Sequence, residues 1–231
     1  MKIYAISDLH LSSSCDKPMD IFGGKWENHT EKIKEKWKEK VTDNDLVLIA
    51  GDISWGMKLE EAVSDLEWID KLPGKKVIIR GNHEYWWKSI SAVREILPPS
   101  IWAIQNDATK YENFVICGTR GWVVPENNKP LSDEDMKIYK REVERLKLTL
   151  DAASKLKTDD DKLICMIHYP PFTGERGDTE FTKLFEEYKV DAVVFGHIHG
   201  KTNCPLGLLK NGVKYYFTSC DHIDNDPTLI F

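Results

Sequence analysis

Short apolar runs alternate with amphipathic segments along the first half of the chain. The runs contain consecutive apolar residues, which is typical of buried strands, whereas the segments between them have apolar residues at helical spacing. We predict strands over 2–7, 46–51 and 75–81, and helices over 31–41, 59–72 and 87–97. This order predicts parallel strands joined by crossover helices.

The second half of the chain has a more mixed pattern. We predict short strands within 101–119 with a hairpin tip at 112–113, then strands over 162–167, 191–195, 213–220 and 228–231, and helices over 131–156 and 181–188. Ser132 and the three acidic residues after it are typical of a helix start, because a hydroxyl caps the free N–H groups and acids favour the positive dipole end. Since the strand types change midway, we expect an α/β sandwich of two sheets rather than one doubly wound sheet.

The composition is that of an ordinary globular protein. Of the 231 residues, 41% are hydrophobic and 30% charged, and the net charge is −6, so no global basic charge indicates nucleic-acid binding. Without a Pro/Gly linker or a repeat, we expect a single domain over 1–231. The apolar stretch before Asp8 is too short for a signal peptide and no window is long enough for a membrane span; with five cysteines and no CxxC pair, we expect a cytoplasmic protein with free thiols.

Polar side chains with metal-binding chemistry follow five of the predicted strands. The motifs are Asp-Leu-His after the first strand, Gly-Asp after the second, Gly-Asn-His-Glu after the third, and a lone His and Gly-His-Ile-His-Gly after two later strands. They contain Asp8, His10, Asp52, Asn82, His83, His168, His197 and His199. Because the carboxyl ends of parallel strands lie on one side of a sheet, we expect these residues to share one rim.

The residue types indicate what this rim binds. Imidazole and carboxylate without thiolate suit Mn²⁺, Fe or Zn²⁺. Seven candidate ligands are too many for one ion and about right for two, and a carboxylate can bridge a pair of ions roughly 3.5–4 Å apart. In Asp-x-His and His-x-His, alternate residues of an extended segment point the same way, so we expect both members of each pair to face the metals.

The ordered series D-x-H, GD, GNHE, H and GHxH resembles the calcineurin-like metallophosphoesterases, and the resemblance spans residues 8 to 199. It implies a two-sheet αββα sandwich with a dimetal site at the carboxyl ends of the strands. One ion would be held by Asp8, His10, Asp52 and His199, and the other by Asp52, Asn82, His168 and His197. His83 would act on the substrate, either binding a phosphate oxygen or protonating the leaving group. Glu84, the next residue, is a candidate to orient or charge-stabilise this imidazole and so raise its pKa.

The resemblance further implies hydrolysis of a phosphomonoester or phosphodiester by a hydroxide that bridges two divalent ions, with manganese the expected ion in vitro. We expect a small-molecule or nucleotide-like substrate, no membrane and no nucleic-acid partner. A phosphoprotein phosphatase is the alternative, weakened because the stretch "GDISWGMK" lacks the arginine that branch has there. A non-catalytic scaffold is less consistent with a complete ligand set. The sequence leaves the oligomeric state open.

Other strand-end residues offer weaker signals for substrate binding. Trp55 or Trp122 is a candidate to stack on a flat leaving group, and the segment 122–140 is a candidate lid. Arg120 and Arg176 lie in loop-like segments from which they could reach a phosphate, and Arg80 could support a ligand from behind, but the sequence favours an ordinary structural or surface role for all three. The segment 220–227 is typical of a polar turn, from which Asp221 or His222 could approach the site.

Overall fold

The computed structural model describes residues 1–126 and 130–231 of the chain. In chain order, the elements are β1 (Ile3–Ile6), α1 (His29–Lys40), β2 (Leu46–Ile49), α2 (Leu59–Asp70), β3 (Lys75–Ile79), α3 (Ile90–Ile96), β4 (Ile101–Ile104), β5 (Ala108–Tyr111), β6 (Phe114–Thr119), α4 (Asp133–Leu156), β7 (Lys162–Ile167), α5 (Glu180–Glu187), β8 (Ala192–Phe195), β9 (Gly207–Lys210), β10 (Val213–Phe217) and β11 (Thr228–Leu229). Two short 3-10 helices, Met19–Phe22 and Gly24–Trp26, precede α1.

Within the described residues, the strands form two sheets with the orders β11-β1-β2-β3-β4 and β5-β6-β7-β8-β10-β9. The strands β1 to β4 are parallel, as are β6, β7, β8 and β10, whereas β11, β5 and β9 pair antiparallel. The change from purely parallel to mixed pairing is the one that the sequence pattern predicts.

The sheets pack face to face, and helices cover both outer faces. Along β1, Ile3 and Ala5 belong to the apolar cluster between the sheets, whereas Tyr4 and Ile6 belong to the cluster beneath α1, α2 and α3. A third cluster joins the outer face of the second sheet to α4 and α5. Since successive side chains of a strand point to opposite faces, strands buried on both sides are continuously apolar. The αββα sandwich is confirmed.

Most predicted elements form close to the predicted bounds. The hydroxyl of Ser132 caps α4 as expected, accepting a hydrogen bond from the backbone N–H of Asp135 at 3.0 Å. The 3-10 helices at 19–26 and the edge strand β9 were not predicted. Their sequences have neither helical nor alternating periodicity, and β9 is a short strand that makes antiparallel contact with β10 alone.

Backbone hydrogen bonds hold the two sheets together at the edge where the parallel strands end. The N–H of Ser7 donates to the carbonyl of Thr218 at 2.9 Å, and the N–H of Thr218 donates to the carbonyl of Phe195 at 2.8 Å. The N–H of Gly196 donates in turn to the carbonyl of His168 at 3.0 Å. The loops after β1, β7, β8 and β10 are therefore fixed relative to one another, which positions the polar residues that these loops carry.

Candidate metal centre

The polar residues after the strands lie together at this edge and form two groups of side chains. The Asp8 group contains Asp8, His10 and His199, and the Asp52 group contains Asp52, His168 and His197. In each group the oxygen and nitrogen atoms that could bind an ion lie within 4.8 Å of one another. The sequence pattern thus predicted the residues that the fold brings together.

In the Asp8 group, two imidazoles and a carboxylate converge. His10 Nε2 lies 3.2 Å from His199 Nε2, and His199 Nε2 lies 3.4 Å from Asp8 Oδ1. Both Asp8 and His10 are buried. Burial alone would raise the pKa of Asp8, but the hydrogen bond from His199 and the nearby imidazoles hold it well below its ordinary value. The carboxylate is therefore ionised and available to a cation.

In the Asp52 group, the side-chain amide of Asn82 lies between two imidazoles. Asn82 Oδ1 is 2.8 Å from His168 Nε2 and 2.8 Å from His197 Nδ1. The other ring nitrogen of His168 lies 2.9 Å from the carbonyl oxygen of Ala50. When His168 loses its second proton, an Nδ1–H that donates to this carbonyl leaves the Nε2 lone pair free to bind an ion. Asn82 therefore lies against both imidazoles of the Asp52 group.

The carboxylate of Asp52 lies between the two groups. Its Oδ2 atom is 3.4 Å from His168 Nε2 and 3.8 Å from His10 Nε2, which belongs to the Asp8 group. Burial would raise its pKa, but the charge and hydrogen bond of His168 lower the pKa of Asp52 to about 2. One ionised carboxylate therefore faces donors from both groups.

The loops that carry these residues are turned rather than extended. Asp8, His10, Asp52 and His197 all have left-handed backbones, with φ of 59°, 45°, 53° and 75°. Non-glycine residues rarely adopt this conformation, and such residues cluster at functional sites. The expectation of extended Asp-x-His and His-x-His segments is thus wrong, and the turn at His197 directs His197 and His199 to different groups.

Glycine allows close packing beside two of the carboxylates. A Cβ at Gly196 would overlap Asp8 Oδ2, and a Cβ at Gly81 would overlap Asp52 Oδ1. The glycines that precede the candidate ligands in the sequence motifs therefore leave room for ligand side chains from other loops.

Glu84 does not orient His83, contrary to the expectation from the sequence. Its fully buried carboxylate accepts hydrogen bonds from the backbone N–H groups of Asp52 at 2.9 Å, Ile53 at 2.5 Å and Gly81 at 2.5 Å. Burial, together with the charge of Asp52, raises the pKa of Glu84 to about 7. Glu84 therefore ties the loop after β2 to the loop after β3, and holds Asp52 through its backbone.

His83 lies beside both groups. Its Nε2 atom is 3.9 Å from Asp52 Oδ2, its backbone N–H donates to Asp52 Oδ1 at 2.9 Å, and its Nδ1 atom is buried without a hydrogen-bond partner among the described residues. Burial lowers the pKa of His83, and the nearby Asp52 carboxylate only partly offsets this effect. A bound anionic ester would raise the pKa and favour the protonated imidazole.

Asp221 contributes to the site although the sequence only hinted at it. Its Oδ1 atom lies 3.0 Å from His199 Nδ1, and the residue is 4% exposed. Although burial opposes the shift, the hydrogen bonds of Asp221 and Asp8 raise the pKa of His199 to about 10. A carboxylate behind a metal-binding imidazole fixes the ring and raises its basicity. No spacing motif links Asp221 to GHxH, so only the fold reveals this contact.

The structure also shows the surroundings of the tryptophan and arginine residues that the sequence suggested for substrate binding. The ring of Trp55 stacks on His10 with centroids 4.7 Å apart, and Lys17 Nζ lies 4.8 Å from the Trp55 centroid. Trp55 therefore packs on a candidate ligand. Arg120 pairs with buried Glu142, and its guanidinium lies over Trp122. The proposed lid over 122–140 includes 127–129, which lie outside the described residues.

Two cavities open beside the centre. The His197 cavity has a volume of about 590 Å³, and its lining includes Trp122, Leu131, Tyr169, Phe172, Arg176 and His197. The His83 cavity has a volume of about 680 Å³, and its lining includes His10, His83, His199, Phe22, Trp26 and Lys201. Both linings are rich in aromatic and aliphatic side chains, as is common for sites that bind organic ligands.

Two known proteins are similar to this chain in sequence. A probable cyclic nucleotide phosphodiesterase of Coxiella burnetii is 23% identical in an alignment 209 residues long that covers 86% of this chain and 76% of that protein. The Gene 66 protein of Mycobacterium phage L5 is 33% identical over 78 residues, 34% of this chain and only 37% of the phage protein.

Two solved structures share the fold. The phosphopantetheinyl hydrolase of Mycobacterium tuberculosis superposes with a TM-score of 0.59 at 13% identity, covering 100% of this chain and 95% of that one. The protein TT1561 of Thermus thermophilus gives 0.60 at 14% identity, with 99% and 97% covered.

No helix among the described residues has both the length and the apolarity needed to cross a membrane. The family model described as calcineurin-like phosphoesterase matches residues 1–201. With the sandwich fold and the two groups of candidate metal-binding residues, this match shows that the chain belongs to the calcineurin-like phosphoesterases, a family of dimetal-dependent phosphoric ester hydrolases.

Proposed function

We propose that this protein hydrolyses a small organic phosphate ester, a monoester or a diester, with two divalent ions held at the centre described above. The observation that carries the proposal is the position of Asp52, whose Oδ2 atom lies within 3.8 Å of imidazole nitrogens from both groups. A carboxylate between two sets of ligands is the arrangement that holds two ions close together.

The residues fit such a pair of ions. The two Nε2 atoms of His10 and His199 converge at 3.2 Å, a separation that favours a shared cation or proton over two bare lone pairs. The donors are imidazole, carboxylate and amide, which suit Mn²⁺, Fe or Zn²⁺. The proposed ligands are Asp8, His10, Asp52 and His199 for one ion, and Asp52, Asn82, His168 and His197 for the other.

When bound, such ions lower the pKa of a water molecule towards about 7 and offset negative charge on phosphoryl oxygens. The protein's own residues hold the loops of the centre in place and donate a proton to the departing oxygen. Glu84 fixes the loops around Asp52 through backbone hydrogen bonds. His83 Nε2, 3.9 Å from Asp52, lies where it can hold the proton that the departing oxygen needs.

A small substrate accords with the surroundings of the centre. The cavities are concave and of a size that suits small organic molecules. The stretch after Asp52, in which a protein phosphatase would have its phosphate-binding arginine, instead has Trp55, which packs on His10 and His83. The name of the Coxiella burnetii relative, a probable cyclic nucleotide phosphodiesterase, also supports a small phosphate ester.

The test is hydrolysis of p-nitrophenyl phosphate and bis(p-nitrophenyl) phosphate by metal-stripped protein to which Mn²⁺ is returned. We expect turnover only with metal, and a stoichiometry of two ions per chain by calorimetry. The Asp52→Asn variant is the matched control, because it keeps the shape of the side chain and removes its charge. Binding of two ions without turnover of any phosphate ester would contradict the proposal, as would turnover that persists after complete removal of metal.

A further inference from the structure

The two cavities are lined by different residues of the loop that follows β8. The His197 cavity includes Thr202 and Asn203, whereas the His83 cavity includes Gly200 and Lys201, and the two linings have no residue in common. Residues 197–203 therefore contribute to both linings, and each lining includes at least one candidate ligand.

Each cavity opens onto a different group of candidate ligands. The His83 cavity is lined by His10 and His199 of the Asp8 group, whereas the His197 cavity is lined by His197 of the Asp52 group, on whose ring Tyr169 lies at a centroid distance of 4.0 Å. A phosphoryl group that contacts both groups would thus have access to a different cavity next to each group.

The linings of both cavities suit organic groups rather than water or phosphate oxygens. Trp122, Leu131 and Phe172 line the His197 cavity. The His83 cavity is lined by Trp26 and by Phe22, which is 67% exposed and lies beside Ile21, which is 75% exposed. Large apolar side chains at the surface beside a site indicate contact with a ligand.

We propose that the physiological substrate is an open-chain phosphodiester whose two organic arms occupy the two cavities. The inference rests on the function proposed above and narrows it to one substrate class. A monoester has one organic arm and would leave one cavity unfilled. In a cyclic diester both ester oxygens belong to one ring, so its organic part cannot extend into two separate cavities.

The position of His83 indicates which organic arm of the substrate occupies which cavity. Because His83 lines one cavity only, the arm that leaves lies in the His83 cavity and the arm that remains lies in the His197 cavity. In the step, the oxygen of water forms a bond to phosphorus and loses a proton to solvent. The bond from phosphorus to the leaving oxygen breaks, and that oxygen takes a proton from His83. The products are an alcohol and a phosphomonoester that carries the retained arm.

The experiment compares two esters that share p-nitrophenol as the leaving group, and adds one cyclic diester. The metal-loaded protein is assayed with p-nitrophenyl phosphate, with p-nitrophenyl phenyl phosphate, and with adenosine 3′,5′-cyclic phosphate. We expect kcat/KM for the phenyl diester to exceed that for the monoester by roughly tenfold or more, because the second arm adds apolar contacts. We also expect it to exceed that for the cyclic ester.

A variant that fills one cavity sharpens the comparison. Val124 lines the His197 cavity and is partly exposed, so Val124→Trp should occupy the space of the retained arm. We expect it to lower the ratio of diester to monoester kcat/KM by roughly tenfold. Leu209→Trp, at a 68% exposed position on β9, is the control and should leave the ratio unchanged.

The outcomes separate this inference from the proposed function. Turnover of the monoester at equal or higher kcat/KM than the phenyl diester would overturn the diester assignment and leave the phosphoesterase intact. Faster hydrolysis of the cyclic ester, or an unchanged ratio in a folded Val124→Trp variant, would overturn it as well. No turnover of any ester by protein that binds two ions would instead overturn the proposed function.

Discussion

The two groups of candidate ligands differ in what lies behind them. In the Asp8 group, the carboxylate of Asp221 supports His199, and hydroxyl groups of Ser7 and Ser219 donate to Asp8 Oδ2 at 2.5 and 2.7 Å. In the Asp52 group, a neutral backbone carbonyl supports His168, and the neutral amide of Asn82 joins the two imidazoles.

This difference predicts that the two groups bind their ions with unequal affinity. Asp221 adds negative charge next to the Asp8 group, which favours a cation there and raises the basicity of His199. The partners of the two imidazoles in the Asp52 group are neutral, so they fix the orientation of the rings without adding charge. We therefore expect the ion of the Asp8 group to bind more tightly, and the predictions below test that ranking.

The largest effect is expected where the groups share a residue. Asp52→Asn removes the charge between them and should weaken both ions by more than the roughly 10–100-fold that outer-shell changes cost. Activity should fall to background. Calorimetric titration with Mn²⁺ measures both affinities, and a variant that still binds two ions at normal affinity would show that Asp52 is not shared.

His83→Ala should lower kcat by roughly 10²–10⁴-fold, the range of general acid–base catalysis. Both ions should still bind, because His83 has no place among the proposed ligands. The loss should shrink for esters whose leaving groups need no proton, such as p-nitrophenol. An equal loss for alkyl and p-nitrophenyl esters would assign His83 to phosphate binding instead.

Asp221→Ala should weaken the binding of one ion and leave the binding of the other unchanged. We expect a loss of roughly 10–100-fold in affinity for the Asp8 group, because His199 loses its supporting carboxylate. Asp224→Ala is the matched control, since Asp224 lies in the same segment and forms an exposed ion pair with Lys36. Equal weakening of both ions by Asp221→Ala would refute the asymmetry.

The smallest effect concerns proton release. Although burial lowers the pKa of His168, Asp52 raises it to about 9, and the pKa of His199 is raised to about 10. Each group of the metal-free protein thus holds one protonated imidazole at neutral pH. An ion needs the neutral form, so binding should release about one proton per ion near pH 7, and affinity should rise with pH up to these values. Calorimetry in buffers of different ionisation enthalpy measures the release.

In Asp221→Ala, the proton release from His199 should decrease, because the pKa of His199 falls when one of the two carboxylates that raise it is removed. The proton release from His168 should be unchanged. An equal decrease in both releases, or no decrease at all, would contradict the separate support of the two groups.

The sequence indicated which residues meet at this edge because parallel strands constrain them. The residues after β1, β2 and β3 lie at one edge of the first sheet, and those after β7 and β8 lie at one edge of the second. The face-to-face packing of the two sheets then brings motifs as short as Gly-Asp together with the histidine motifs. The direction of each side chain was less predictable. Positive φ at His197 directs it away from the group that His199 joins, and no sequence pattern indicates that turn.

Contacts between distant loops were beyond the sequence pattern. Glu84 adjoins His83 in the chain, which suggested a pair, yet its carboxylate lies among backbone N–H groups of the loops after β2 and β3. Asp221 lies 22 residues from His199 and in no motif with it. Both roles depend on how loops pack, which hydrophobic periodicity does not specify.

Asp221 also has a consequence for the order in which the molecule is assembled. The family match ends at residue 201, whereas Asp221 lies in the turn between β10 and β11, close to the C-terminus of this sequence. Chains are made from the N-terminus and begin to fold during synthesis. Every proposed ligand is therefore synthesised before Asp221, the support for His199, and before Thr218, whose backbone links the loops after β1 and β8. A nascent chain that stops short of these residues would hold metal more loosely than the finished fold.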